Sequence, residues 1–135
     1  MQNNAKISIV TINYNNPSGL KKTIESVVNQ TWKNFEYIII DGGSTNGDVD
    51  IIKSFDNQID YWVSEPDKGI YNAMNKGIKK ATGDFIIFIN SGDNFTNSSV
   101  LEEVQSKLTS DFDIYYGDYY RIKSNSKRRK TLIDN

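Results

Sequence analysis

Five apolar residues in a row, Phe85-Ile86-Ile87-Phe88-Ile89, stand between Gly83 and the polar tip Asn90-Ser91-Gly92-Asp93. A run of that length without polar alternation, bounded by turn residues, reads as a strand covered on both faces. A helix is predicted directly before it, because Ile70, Ala73, Met74, Gly77, Ile78 and Ala81 recur at three- and four-residue steps. Asn72, Asn75, Lys76, Lys79 and Lys80 fall on the other side, and Gly83 stops the helix. Ser64 to Asp93 is thus one unit, and its carboxyl end is where open α/β sheets place their ligands.

The rest of the chain repeats the alternation. Lys6 to Tyr14 is rich in Ile, Val and Thr and predicts a first strand. Asn16-Pro17 starts a helix, with asparagine capping and proline at the first helical position. Leu20, Ile24, Val27 and Val28 form its inward stripe. Phe35 to Asp41 predicts a second strand, Asp48 to Phe55 a second helix and Asp60 to Ser64 a third strand. Ser99 and Glu102 have capping-box spacing ahead of a helix with Val100, Val104 and Leu108 inward. Phe112 to Tyr116 and Tyr119 to Ile122 predict further strands around Gly117-Asp118, and Lys123 to Asn135 is a charged tail with no apolar period. A βαβαβ start implies right-handed crossovers and a mostly parallel sheet with helices on both faces.

With 135 residues the chain is one domain by size. It has no cysteine and no histidine, which excludes disulfides, thiolate metal sites and Ser-His or Cys-His catalysis. Acid–base chemistry must use Asp, Glu, Lys or Tyr. The start MQNNAKISIV has no charged-then-apolar leader and no apolar run reaches membrane-spanning length, so a cytoplasmic chain is expected. A net charge of -1 gives no polyanion signal.

Three polar strand ends are expected on one edge: Asn13-Tyr14-Asn15, Asp41-Gly42-Gly43 and Asn90 to Asp93. Asp41 either accepts hydrogen bonds from a base or sugar or caps its own glycine turn. Tyr14 either offers a ring face to a nucleobase or rims the core, and Asn13 and Asn15 are alternatively turn-formers. Asp93 either meets a divalent cation, for which one carboxylate plus substrate phosphates can suffice, or caps its turn. Asp67-Lys68-Gly69 suits a diphosphate at a helix start, or is a plain turn. Lys76, Lys79 and Lys80 read as a solvated helix face, and Lys127 to Lys130 as part of the tail. No G-x-G-x-x-G or G-x-x-x-x-G-K-[ST] occurs.

VTINYNN, QTWKNFEYIIIDGGST, SEPDKGIYNAMNKGI and ATGDFIIFINSGD, in that order, resemble the N-terminal half of family-2-type glycosyltransferases of the GT-A fold, from about Lys6 to Asp118. The -DKGIYNAMNKGI- and -NSGD- forms resemble the bacterial branch that builds capsule and related surface polysaccharides. The resemblance implies a Rossmann-like, nucleotide-sugar-binding α/β sandwich over residues 1–122, with 123–135 a charged tail or the start of a missing C-terminal part. It implies inverting transfer from a nucleotide-diphospho-sugar, UDP-linked, to a glycan or lipid-linked acceptor, with magnesium or manganese as cofactor.

Residue by residue, the resemblance places Ile12, Asn13 and Tyr14 at the nucleobase and Asp41, with Gly43, at base and ribose. It places Asp67, Lys68, Gly69, Asn75 and Lys76 along the nucleotide-sugar. Asn90 and Ser91 lead to Asp93, the carboxylate expected to meet the metal. Gly42 stands where the family often has a second aspartate, and Asn90 and Gly92 stand where its metal motif has acids. Members of the family continue beyond a length like this one, so the catalytic base is expected after Asn135 rather than at Asp113 or Asp118. Peripheral association of a full-length protein with the inner face of the membrane is allowed, and a half-length chain can pair as a homodimer through surface that a missing part would cover. Two other classes compete: a non-catalytic nucleotide-sugar-binding module, and a nucleic-acid-binding domain using Lys127 to Lys130. The latter lacks a basic face elsewhere, so no nucleic-acid partner is expected.

Overall fold

The computed structural model describes residues 5–108 and the backbone of two further strands, 118–123 and 126–131. Four parallel strands form the sheet: β1 (Ile7–Asn13), β2 (Phe35–Asp41), β3 (Tyr61–Ser64) and β4 (Phe85–Phe88), in the order β3-β2-β1-β4. Between them run α1 (Pro17–Val28), α2 (Asp48–Ser54) and α3 (Ile70–Lys80), and α4 (Val100–Gln105) follows β4. The register pairs Asn13 with Asp41 and Asp41 with Ser64, so three polar strand ends line up. The α/β class, the parallel sheet and the helix starts follow the sequence reading.

Period-two alternation sorts the core into two layers. Ile7, Ile9, Tyr37 and Ile39 face α1, α2 and α4 through Leu20, Ile24, Val27, Ile52 and Leu101. Val10, Ile38 and Ile40 face α3 through Ala73. Helices therefore cover both faces. Pro17 opens α1, and the Asn16 side chain accepts a hydrogen bond from the Gly19 N–H, as the cap motif predicts.

Several expectations fail. The apolar run at 85–89 is only partly covered: among the described strands β4 lies at an edge of the sheet, and Ile86 is 37% exposed. On α3 the buried residues are Ala73 and Gly77, whereas Ile70 and Ile78 are 50% and 46% exposed. The cause is close approach. A Cβ on Gly77 would lie 2.5 Å from Val10 Cγ1, so α3 seats its smallest residues on β1 and turns the isoleucines to its flanks. The capping box is not formed: the Ser99 hydroxyl donates to Asn97 Oδ1, and Glu102 accepts from Thr31 Oγ1. Here Gln30 Oε1 accepts the Leu101 N–H, and Leu101 and Leu108 are the buried residues. Part of the expected tail is strand: β5 (Asp118–Lys123) pairs antiparallel with β6 (Ser126–Thr131). The expected strand at 112–116 lies outside the described residues.

Gly77 yields a test. Alanine in a helix is favoured over glycine by about 1 kcal/mol, but a methyl pressed on a stiff, fully buried valine costs about 1–3 kcal/mol. The clash is the larger of the two, so Gly77→Ala is expected to lower the urea midpoint. An unchanged or raised midpoint would show that α3 can move away from β1.

Candidate nucleotide-sugar site

The chain passes from β3 across β2 and β1 to reach β4, so the strand order reverses beside β1. Ligands of open α/β sheets bind at such a switch point, outside the carboxyl ends of the strands. Four loops meet there: 13–16 after β1, 41–48 after β2, 65–69 after β3 and 90–93 after β4.

Asn13 is the hub, buried at the end of β1. Its Nδ2 donates to Asp41 Oδ1 at 2.7 Å and Asp48 Oδ2 at 2.9 Å. Two carboxylates on one side fix the amide orientation, since flipping it would set oxygen against oxygen. Asp41 also accepts from the Gly43 and Ser44 N–H groups and from the Ser44 and Ser64 hydroxyls. Asp41 thus caps its own turn. Its carboxylate is fully buried and spent on protein donors, so it organises the loops rather than facing a ligand. Asp48 Oδ2 accepts the Asn16 N–H as well, joining the first loop to the second. Asn15 adopts a positive φ of 44°, its N–H donates to Ser44 Oγ and its Oδ1 accepts the Thr45 N–H.

These bonds leave the Tyr14 ring outside: at 64% exposed it is no core-rim residue. Ile12 is half-buried, and its carbonyl accepts the Ser91 N–H, tying the fourth loop to the first. Thr23 on α1 does more. Its hydroxyl donates to the Asp93 carbonyl and accepts the Gly92 N–H, which holds the 90–93 loop over α1. Asp93 itself is exposed. Asn90 Oδ1 is buried without a partner.

In the third loop, the Gly69 N–H donates to Asp67 Oδ1, and Lys76 pairs with Glu65 at 3.1 Å and reaches the Pro66 carbonyl. Lys76 buttresses the turn, while Lys68 and Asn75 are exposed. A Cβ on Gly43 would meet the Pro66 nitrogen at 3.2 Å, which shows how closely the second and third loops approach. The loops after β1, β2 and β4 are thus tied together at this edge, and the loop after β3 approaches the one after β2. Sequence reasoning missed Thr23, Ser44, Asp48 and Ser64. Thr23 left a trace, a polar residue inside the apolar stripe of α1.

Burial alone would raise the Asp41 carboxyl, but hydrogen bonds from Ser44, Ser64 and Asn13 outweigh it and hold the group below its ordinary 3.8. For Glu36 burial is likewise opposed, by the Ser8 hydroxyl, the Thr82 N–H and hydroxyl, and the Lys6 charge, leaving it below 4.5. Groups with depressed folded values add stability above their unfolded values and lose it as pH falls through the folded ones. Stability is therefore expected to fall as pH drops below about 4, with the Ser64→Ala acid midpoint shifted upward. An acid midpoint identical in Ser64→Ala would count against this origin.

The donors fit a hard cation: Asp93 supplies a carboxylate and Asn90 Oδ1 an unsatisfied carbonyl oxygen in one loop. No group of three or more His, Cys, Asp or Glu side chains that could hold a metal is present among the described residues. Magnesium and manganese chemistry with substrate phosphates does not require one. No described helix is long and apolar enough to cross a membrane.

Residues 8–134 match the family model described as glycosyl transferase family 2. An uncharacterized glycosyltransferase of Mycobacterium tuberculosis (strain ATCC 25618 / H37Rv) is 38% identical over 76% of this chain and 40% of its own length. Glycosyltransferase GlyA of Streptococcus pneumoniae is 30% identical over 85% of this chain and 17% of its own. The chain thus spans less than half of either relative. Among solved structures, S. aureus TarS 1–349 in complex with UDP-GlcNAc superposes with a TM-score of 0.68 at 23% identity, covering 75% of this chain and 30% of that one. Mannosyltransferase PcManGT from Pyrobaculum calidifontis, in complex with GDP-Man and Mn2+, gives 0.68 at 16%, covering 75% and 32%. At such identities the likeness is one of fold, and it is the GT-A fold. With its loops joined at the carboxyl edge of a parallel sheet and the family model matched over nearly its whole length, the chain belongs to glycosyl transferase family 2.

Proposed function

We propose that this chain is the donor-binding part of a metal-dependent inverting glycosyltransferase. It takes a sugar from a nucleotide-diphospho-sugar, UDP-linked, to a glycan or lipid-linked acceptor in cell-surface polysaccharide synthesis. The observation that carries this reading is the meeting of four loops at the carboxyl edge of the sheet, the first two joined through Asn13, with the Tyr14 ring exposed beside them. The nucleotide-sugar complexes of TarS and PcManGT, which share the fold, support it.

In this reading Tyr14 stacks on the base, a contact worth about 1–3 kcal/mol. Asn13, Asp41 and Asp48 hold the loops so that little is reordered on binding. The first-turn amides of α3 and the Lys68 ammonium face the diphosphate, where a helix N-terminus favours negative charge. Asp93 and Asn90 would hold magnesium or manganese, which when bound offsets charge on the departing nucleoside diphosphate. The acceptor hydroxyl attacks the anomeric carbon, the bond to the diphosphate oxygen breaks with inversion, and the hydroxyl proton passes to a base. That base is placed after Asn135. Asp113 lies outside the described residues. A lipid-linked acceptor would bring the protein to the inner face of the membrane from the cytoplasm, and the homodimer belongs to the same proposal.

Calorimetry with UDP, with and without manganese, tests the reading. Manganese-dependent binding is expected. Because the base lies beyond Asn135 in this reading, sugar transfer by a preparation that includes the part after Asn135 separates an enzyme from a binding module. Salt-sensitive oligonucleotide binding without UDP binding would overturn both in favour of a nucleic-acid role.

A further inference from the structure

Asn46-Gly47 is the one Asn-Gly pair in the chain. In such a pair the glycine nitrogen can attack the preceding side-chain carbonyl, because glycine has no Cβ to block the approach. Both reacting groups are open here. Asn46 and Gly47 are exposed, and neither the Asn46 side chain nor the Gly47 N–H makes a hydrogen bond among the described residues. Gly47 adopts a φ of 97°, and the point that its Cβ would occupy has no atom within 4 Å. The described Asn-Ser pairs, 90–91 and 97–98, are closed by comparison. The Ser91 N–H is spent on the Ile12 carbonyl, and Asn97 Oδ1 accepts both the N–H and the hydroxyl of Ser99.

We propose that Asn46 is a self-modifying site, whose conversion to isoaspartate loosens the junction of the first two loops. The Gly47 nitrogen bonds to Asn46 Cγ, the bond from Cγ to the side-chain nitrogen breaks, and ammonia leaves with the Gly47 proton. Water then opens the cyclic imide at either carbonyl. One opening gives aspartate. The other gives isoaspartate, whose main chain runs through the side-chain methylene and is longer by one carbon. The lengthened stretch lies between two points held by the loop after β1. Thr45 donates its N–H to Asn15 Oδ1, and Asp48 Oδ2 accepts from Asn13 Nδ2 and the Asn16 N–H. An extra backbone carbon between fixed points pulls on both, and it also displaces the Gly47 carbonyl that accepts the Ile51 N–H at the start of α2. The aspartate product changes only an exposed, unbonded side chain and leaves the junction as it is.

The test incubates the chain at mildly alkaline pH, folded and in guanidinium chloride. Peptide mass spectrometry follows deamidation at Asn46, Asn90 and Asn97, and an isoaspartyl methyltransferase labels the isoaspartate. Unfolding is expected to speed Asn90 and Asn97 by about tenfold, the factor for releasing a hydrogen bond, and to change Asn46 little. Folded-state conversion is therefore expected to concentrate at Asn46. An Asn46 that speeds up as much as the other two on unfolding would be shielded by the fold, which overturns the proposal. The aged wild type is expected to unfold at lower urea in proportion to its isoaspartate. Fresh Asn46→Asp is expected to keep the wild-type midpoint, and so is Asn46→Gln through the same incubation, since its longer side chain closes the ring far more slowly. An unchanged midpoint in isoaspartate-rich chain overturns the loosening of the junction. So does a midpoint lowered equally in aged Asn46→Gln, which places the damage elsewhere, or in fresh Asn46→Asp, which assigns it to charge.

Discussion

Asn13→Leu is expected to destabilise the chain by about 3–5 kcal/mol, the range for stripping a buried charged group of its partner. The Asn13 amide touches two buried carboxylates at 2.7 and 2.9 Å, so their oxygens lie within about 5.6 Å of each other. At an effective dielectric near 20, two unit charges about 5 Å apart repel by about 3 kcal/mol. The amide supplies a hydrogen to each, and leucine, close in volume, supplies neither. Asp41 would keep its serine and backbone donors, whereas Asp48 Oδ2 would keep only the Asn16 N–H, and its Oδ1 already lacks a partner. Against a typical total stability of about 5–15 kcal/mol, such a loss leaves many chains unfolded. Urea denaturation measures it. Adding Asp48→Asn removes one charge and is expected to recover at least 1 kcal/mol, a coupling that a mere packing defect would not show. An Asn13→Leu midpoint close to the wild type would mean that the loops are not held by this network.

Asp93→Ala is expected to abolish the manganese dependence of UDP binding, with affinity falling at least a hundredfold, about 2.7 kcal/mol. Within Asn90 to Asp93 it is the sole carboxylate, and a cation bridging to a diphosphate contributes several kcal/mol. The substitution leaves the fold intact, because the residue is exposed and its loop is held by backbone groups. The Asp93 N–H donates to the Asn90 carbonyl, and the Asp93 carbonyl accepts the Thr23 hydroxyl. Thermal melting is expected to match the wild type while calorimetry loses the manganese response. The same response in the variant would move the cation to other residues and end the metal role given to this loop.

The elements of the sheet and most helix starts were legible, because each rests on short-range rules. The Ile, Val and Thr content of Ile7–Asn13, the apolar run within Phe35–Asp41, and asparagine before proline at α1 are set within a few residues. Expectations failed where a distant partner intervened. Ser99 and Glu102 have capping-box spacing, but Asn97 and Thr31 take their side chains. The 85–89 run is apolar enough for the middle of a sheet, yet β4 has β1 as its only neighbour among the described strands. Ile70 and Ile78 keep helical period, but contact at Gly77 decides which face of α3 is inward.

By itself the sequence determined the alternating strands and helices, their parallel pairing and the polar residues that close them. Through its motifs it also pointed to the family that the comparison found. Tertiary structure alone decided what those polar residues do. Asp41 and Asp93 both follow a strand, yet one is enclosed by five protein donors and the other is open to solvent. Local periodicity is written in neighbouring residues, whereas the fate of a carboxylate depends on donors brought to it from elsewhere in the chain.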